Sequence, residues 1–176
     1  METFLKAGKI AKELSQKGLK IKIKKDKSPV TDGDLAVDEI LRTKIKNLTP
    51  SIPIISEETI DFKTDNKSKN FWLIDPIDGT KDYIKNKDEY TLNAALIIDL
   101  LPAIGIIYAP AKERLFFSYG ENSAFEIHND KKIELNCKKK NMNEIVGLEN
   151  SGSTPVEVLD IYKRHKVSRT VRMSSS

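Results

Sequence analysis

Apolar residues at Phe4, Ala7, Ile10, Ala11 and Leu14 recur at the spacing of one helical face, and Gly18 supplies a stop. Residues 19–24 then alternate apolar with basic positions, the rhythm of a half-buried strand, and lead into a polar loop over 25–30. A second helix is predicted over 33–47, with Val37, Ile40, Leu41, Ile45 and Leu48 on its inner face. Thr31, followed three residues later by Asp34, reads as a capping box at its start. A short strand at 52–55, a polar loop over 61–70, a buried strand at 71–74 and a short helix over 81–86 come next. Residues 90–98, 103–108, 114–118 and 124–127 read as successive strands of a meander, with turns at 99–102, 109–113 and 119–122. A strand at 144–148 follows. A helix opens at Thr154-Pro155-Val156-Glu157 with a cap, an N1 proline and a reaching glutamate. A last strand at 167–171 precedes the closing serines.

Two helices, then short strands, a long meander and a final strand–helix–strand predict a layered α+β or α/β arrangement, not a bundle or an all-β sandwich. Residues 1–130 form one α+β lobe in this reading, and 131–176 begin a second, α/β lobe.

Composition narrows the function classes. With 176 residues, 39% hydrophobic and 32% charged, the chain can bury a core and is not of disordered type. Its net charge of +4 suits an anionic substrate. The basic runs at 22–27 and 138–140 carry no interleaved aromatics and no nucleic-acid motif, so they read as surface lysines and no nucleic-acid partner is expected. A single cysteine, Cys137, rules out an internal disulfide and suits a reducing compartment. His128 and His165 lack ligand-like spacing. The N-terminus lacks the plan of a signal peptide and no apolar run is long enough to span a bilayer, so the expected location is cytoplasmic.

The chemistry concentrates in two clusters. The first is Ile55-Ser56-Glu57-Glu58. In the second, the apolar run Trp72-Leu73-Ile74 ends in Asp75-Pro76-Ile77-Asp78-Gly79-Thr80. Hard cations such as Mg²⁺ need several oxygens on one point and accept carboxylates and backbone carbonyls. A strand end turning through Asp-x-x-Asp offers two carboxylates with the Ile77 carbonyl between them. Glu57, Asp75 and the Ile77 carbonyl would hold one Mg²⁺, and Asp78, sharing Asp75, a second. Two such ions roughly 4 Å apart clamp the attacking and leaving oxygens of a phosphoryl transfer. No activated serine or cysteine stands in the motif, so the expected nucleophile is metal-activated water. Thr80 would orient it, with its hydroxyl held by Asp34. The amides of Gly79 and Thr80, opening a helix, would face phosphate oxygens. Taken singly, Glu57-Glu58 is a solvated acidic pair, Asp34 a helix cap and Asp-Gly-Thr a turn; their conjunction in this order carries the metal reading.

These residues resemble the Li⁺-sensitive, Mg²⁺-dependent inositol monophosphatase superfamily. The match rests on Ser28-Pro29-Val30-Thr31 with Asp34, on Ser56-Glu57-Glu58, and on the nine residues from Trp72 to Thr80. Within it, Gly79-Thr80-Lys81-Asp82-Tyr83-Ile84-Lys85 and Glu89-Tyr90-Thr91-Leu92-Asn93 look like the 3′(2′),5′-bisphosphate nucleotidase branch. The resemblance implies the layered fold of that superfamily, with alternating helix and sheet layers. It implies hydrolysis of 3′-phosphoadenosine 5′-phosphate to AMP and phosphate, Mg²⁺ as cofactor, Li⁺ inhibition and a role in sulfur metabolism. By carry-over, Glu57, Asp75, Ile77 and Asp78 are metal ligands and Asp34 and Thr80 position water. Glu57, Ile77, Asp78, Gly79 and Thr80 line the substrate site.

Members of the superfamily continue through a Trp-Asp-x-Ala-Ala segment whose aspartate completes the second metal's shell, and this sequence has none. The expectation is therefore a C-terminally shortened nucleotidase, weak or inactive alone, that self-associates through its uncovered C-terminal face. An inositol or sugar monophosphatase, and a catalytically dead remnant persisting as a binding module, remain the alternatives.

Overall fold

The computed structural model describes residues 1–59, 68–121, 123–136, 144–150 and 154–173. Most of the predicted polar loop at 61–70, Cys137, the basic run at 138–140 and the closing serines fall outside the described residues.

The first helix, α1 (Glu2–Lys17), buries Phe4, Ala7, Gly8 and Ala11 and stops at Gly18, whose φ of 93° lies where side chains are disfavoured. A small hairpin follows, β1 (Ile21–Ile23) against β2 (Pro29–Thr31). The second of these strands occupies the end of the segment predicted as loop. Helix α2 (Asp32–Leu48) starts on the predicted capping box. The Thr31 hydroxyl accepts from the Gly33 and Asp34 amides, and the Asp34 carboxylate accepts from the Thr31 amide. Val37, Leu41 and Ile45 form its buried stripe.

Strands β3 (Ile54–Ser56), β4 (Phe71–Asp78), β5 (Thr91–Ile98), β6 (Leu101–Ala109), β7 (Arg114–Tyr119), β8 (Ala124–His128) and β9 (Lys131–Glu134) lie side by side in that order. β3 and β4 are parallel, and every later pairing is antiparallel. Period-2 alternation places Trp72, Ile74, Leu92, Ala94, Tyr108 and Leu115 in the core with α1 and α2. Tight spots lock this packing. A Cβ on Gly33 would stand 2.4 Å from the Tyr83 hydroxyl, which itself donates to the Ala11 carbonyl at 2.7 Å.

Three expectations about the large sheet need correction. The strand predicted at 71–74 runs on to Asp78 through Pro76, and its exposure alternates: Leu73 is 45% exposed, so it is buried on one face only. The turn predicted at 99–102 is tighter, with only Asp99 and Leu100 at positive φ, as a two-residue hairpin requires. Pro102 sits inside β6 beside a register irregularity, where a missing N–H is tolerated. The strand β9 was not predicted, because all four of its residues are exposed and its sequence reads as a charged surface run. It extends the first sheet past residue 130.

The remaining described chain makes a parallel pair, β10 (Val146–Asn150) with β11 (Arg169–Met173), joined by α4 (Val156–Arg164). The helix begins one residue later than predicted: Pro155 is its N-cap, without a side-chain cap bond, so Thr154 does not cap it. Between them, α1/α2 over a sheet and a strand–helix–strand unit beyond it make the layered α/β architecture expected.

Candidate active site

Long-range pairing builds the site where β3 and β4 end. The Ser56 hydroxyl donates to Asp38 of α2 at 2.5 Å, and the Glu57 amide donates to the Ile74 carbonyl at 3.0 Å. These bonds set the Glu57 side chain beside Asp75. The β4–β5 ladder is regular to the Asp75–Asn93 pair, breaks across Pro76 and Ile77, and resumes at Asp78–Thr91. The break is what turns the two carboxylates and the Ile77 carbonyl toward one edge. Gly79 follows with φ of 90°, and a Cβ there would lie 2.7 Å from the Glu89 carbonyl. Only glycine fits both the conformation and the space.

Helix α3 (Thr80–Ile84) opens after it. At five residues it is a little over one turn, so its dipole is weaker than that of a full helix. The Thr80 hydroxyl lies 3.0 Å from the Ile77 carbonyl and 3.3 Å from Asp34 Oδ1. It carries one proton and so donates to one of them at a time. The Ile77 oxygen keeps a second lone pair. Asp34 therefore has both of its predicted identities: Oδ2 closes the capping box, and Oδ1 faces Thr80. Burial raises its pKa, opposed by the hydrogen bonds from Thr31 and Thr80.

Asp75 is the centre of the electrostatics. Its Oδ1 is buried and finds no hydrogen-bond partner. Burial first, then the negative fields of Glu57 and Asp78 and a hydrogen bond with Glu57, push its pKa from 3.8 to about 7. Glu57 is 49% exposed, and its Oε1 pairs with Lys24 Nζ at 2.9 Å. The same ammonium reaches Glu58 Oε1 at 2.8 Å, and that side chain is only 4% exposed.

The structure thus gathers Asp34, Glu57, Asp75, Ile77, Asp78, Gly79 and Thr80 at one edge of the sheet. Among the described residues, however, no three acidic, histidine or cysteine side chains stand close enough to be a ready-made metal cluster. The donor chemistry still fits a hard cation: carboxylates and a carbonyl, all oxygen, around a buried oxygen that nothing satisfies. Four participants escaped sequence reasoning. Lys24 reads in sequence as part of a surface basic run, and Glu58, although inside the Ser56-Glu57-Glu58 cluster, has no role of its own there. Thr91 and Asn93, which pair with Asp78 and Asp75 in the ladder, each bury an oxygen without a partner. The only signal for the last two was their place in the Glu89–Asn93 segment.

The family model described as "Inositol monophosphatase family" matches residues 1–175. The chain belongs to that family. A 3′(2′),5′-bisphosphate nucleotidase CysQ from Buchnera aphidicola is 35% identical over 164 residues, 92% of this chain and 61% of that protein. The CysQ nucleotidase of Haemophilus influenzae is 29% identical over 153 residues, covering 86% of this chain and 57% of its own. The chain therefore spans about three-fifths of the length of these curated relatives. Among solved structures, CysQ from Bacteroides thetaiotaomicron superposes with a TM-score of 0.72 at 26% identity, over 98% of this chain and 69% of that one. The Thermotoga maritima IMPase superposes at 0.76 with 21% identity, covering 99% and 66%, which establishes the same fold. An IMPase/NADP phosphatase solved with Mg²⁺ and phosphate shares that fold as well.

Proposed function

We propose that residues 1–130 of this chain carry the catalytic lobe of a magnesium-dependent phosphatase acting on 3′-phosphoadenosine 5′-phosphate, with AMP and phosphate as products. The buried, unpartnered Oδ1 of Asp75 between Glu57 and Asp78 carries the metal part of this reading. The kinship to CysQ nucleotidases supports the substrate. Glu57, Asp75, the Ile77 carbonyl and Asp78 are the residues that would hold magnesium. When bound, the ion supplies charge neutralisation and water activation.

The chain's own groups do the rest. Asp34 accepts a hydrogen bond from the Thr80 hydroxyl, which leaves the Thr80 oxygen free to accept one from water and so aims that water's lone pair at phosphorus. As water adds to phosphorus, the P–O ester bond breaks, and the ester oxygen leaves with the bonding pair and takes up the proton that the attacking water sheds. The Gly79 and Thr80 amides orient the phosphate. The reading places the protein in the cytoplasm, consistent with a lone cysteine; among the described residues no helix is long and apolar enough to cross a membrane.

Phosphate release from 3′-phosphoadenosine 5′-phosphate and from inositol 1-phosphate, each with and without Mg²⁺, tests the proposal. The expected result is slow, Mg²⁺-dependent release favouring the adenosine substrate, abolished in Asp75→Asn. Preference for inositol 1-phosphate would move the assignment to the monophosphatase branch. Calorimetry showing no Mg²⁺ binding would remove the metal reading altogether.

A further inference from the structure

We propose that Lys24 is the resident counter-cation of this carboxylate group, and that a divalent ion binds by displacing it from Glu57 onto Glu58. The inference rests on Glu57 being a metal ligand. Lys24 leaves β1 and is fixed by the hairpin: its amide donates to the Ser28 carbonyl at 2.8 Å, and its carbonyl accepts from Lys27 at 3.0 Å. The hairpin is pinned to the start of α2, since Lys20 donates to the Asp32 carboxylate at 3.0 Å and the Asp32 amide returns to the Lys20 carbonyl at 3.1 Å. The ammonium is thus positioned by backbone bonds, not carried on a free loop.

Its two partners are unequal. Glu58 is almost wholly buried and Glu57 is half exposed, yet both accept from the same nitrogen at about the same distance. A buried carboxylate loses heavily when its counter-charge is removed, whereas an exposed one is stabilised by water. Glu57 is therefore the bond that yields. Once Glu57 gives its oxygen to an ion shared with Asp75, Lys24 keeps Glu58 and the buried charge stays neutralised. Without an ion, Lys24 offsets the charge of Glu57, which already stands against Asp75, and so limits repulsion at the edge of the sheet.

The exchange makes predictions of opposite sign. Lys24→Met removes a positive charge within reach of the ion, so the Mg²⁺ dissociation constant measured by titration calorimetry should fall roughly tenfold. Its melting temperature in EDTA should fall too, because Glu58 is left unpaired, and Mg²⁺ should restore much of the loss. Lys24→Arg should bind Mg²⁺ as the unaltered protein does. Glu58→Gln leaves Lys24 with Glu57 alone and should weaken Mg²⁺ binding several-fold. A merely structural lysine would weaken binding when removed, so unchanged or weaker binding in Lys24→Met overturns the inference. If that variant does not fold, Glu58→Gln decides: unchanged or tighter binding overturns it. Glu57→Gln is run in parallel. Loss of Mg²⁺ binding there confirms the ligand on which the inference rests, and unchanged binding overturns that assignment and the inference together.

Discussion

Asp75→Asn should make the metal-free protein more stable while destroying its response to magnesium. The group's folded pKa, raised from 3.8 to about 7, means its protonated form is the one the fold favours. The stability it contributes is fully present below pH 4 and is lost as pH rises through 7. The displacement corresponds to a ceiling of about 4 kcal/mol. Solvent at this partly open edge screens it, leaving roughly 2 kcal/mol. For a chain of this size that is a rise of about 4–8 °C in melting temperature at pH 8 in EDTA. At pH 5, where Asp75 is already mostly protonated, the asparagine should change little. Saturating Mg²⁺ should stabilise the unaltered protein at pH 8 and leave the variant nearly unmoved. Thermal unfolding at both pH values, with EDTA and with Mg²⁺, gives all four comparisons. If the asparagine lowers the melting temperature equally at pH 5 and pH 8, Asp75 is not a strained charge awaiting an ion, and the electrostatic account of the site fails.

Other substitutions test the backbone that presents these groups. Gly79→Ala should cost about 2–3 kcal/mol, because its φ of 90° and a contact of 2.7 Å to the Glu89 carbonyl both oppose a methyl; chemical denaturation would show it. Gly33→Ala should displace the Tyr83 ring from the Ala11 carbonyl and cost about 2 kcal/mol, with the Tyr83 near-ultraviolet signal altered. Thr80→Ala should leave stability within about 1 kcal/mol, since one hydroxyl bond is lost. It should nonetheless lower phosphate release by one to two orders of magnitude if that hydroxyl aims the water.

What was legible in the sequence was whatever one stretch of chain decides by itself. The helical stripe ending at Gly18, the Thr31/Asp34 capping box and the meander after residue 90 are of this kind. So was Asp-x-x-Asp-Gly-Thr, because a strand end, a proline and a glycine fix its geometry over six residues. Illegible features depend on partners far along the chain. Pro76 looks like the end of a strand, yet β4 continues past it because the ladder with β5 is already interrupted there. Lys24 looks like one of several surface lysines until the hairpin carries it to Glu58, 34 residues on. Thr91 and Asn93 look like ordinary strand residues until register sets them opposite Asp78 and Asp75. The candidate oxygens of Glu57, Asp75, Ile77 and Asp78 could be listed from sequence, but the ammonium paired with Glu57 and Glu58 could not.

The expected self-association acquires a physical location. In the β10–β11 pair, Gly147 faces Tyr162 of α4, so the helix covers one side. Val146 and Leu148, with Val171 paired to Leu148, lie on the other side and are exposed, Leu148 by 63%. Two paired strands with one bare apolar face are marginal by themselves. Outward residues of the large sheet, Leu73 and Ile107, are likewise nearly half exposed where a solvated antiparallel face would be polar. Both surfaces gain by being covered, and a second copy is the cover that is always at hand. Sedimentation at tens of micromolar should give a mass above 19.9 kDa, and Leu148→Lys with Val171→Lys should return it to that of one chain. Amide exchange should also be faster in β10 and β11 than in β4–β6, and should slow as concentration rises. A single-chain mass at every concentration, with β10–β11 protected as well as β5, would mean that these apolar faces are stable in water and that nothing needs to cover them.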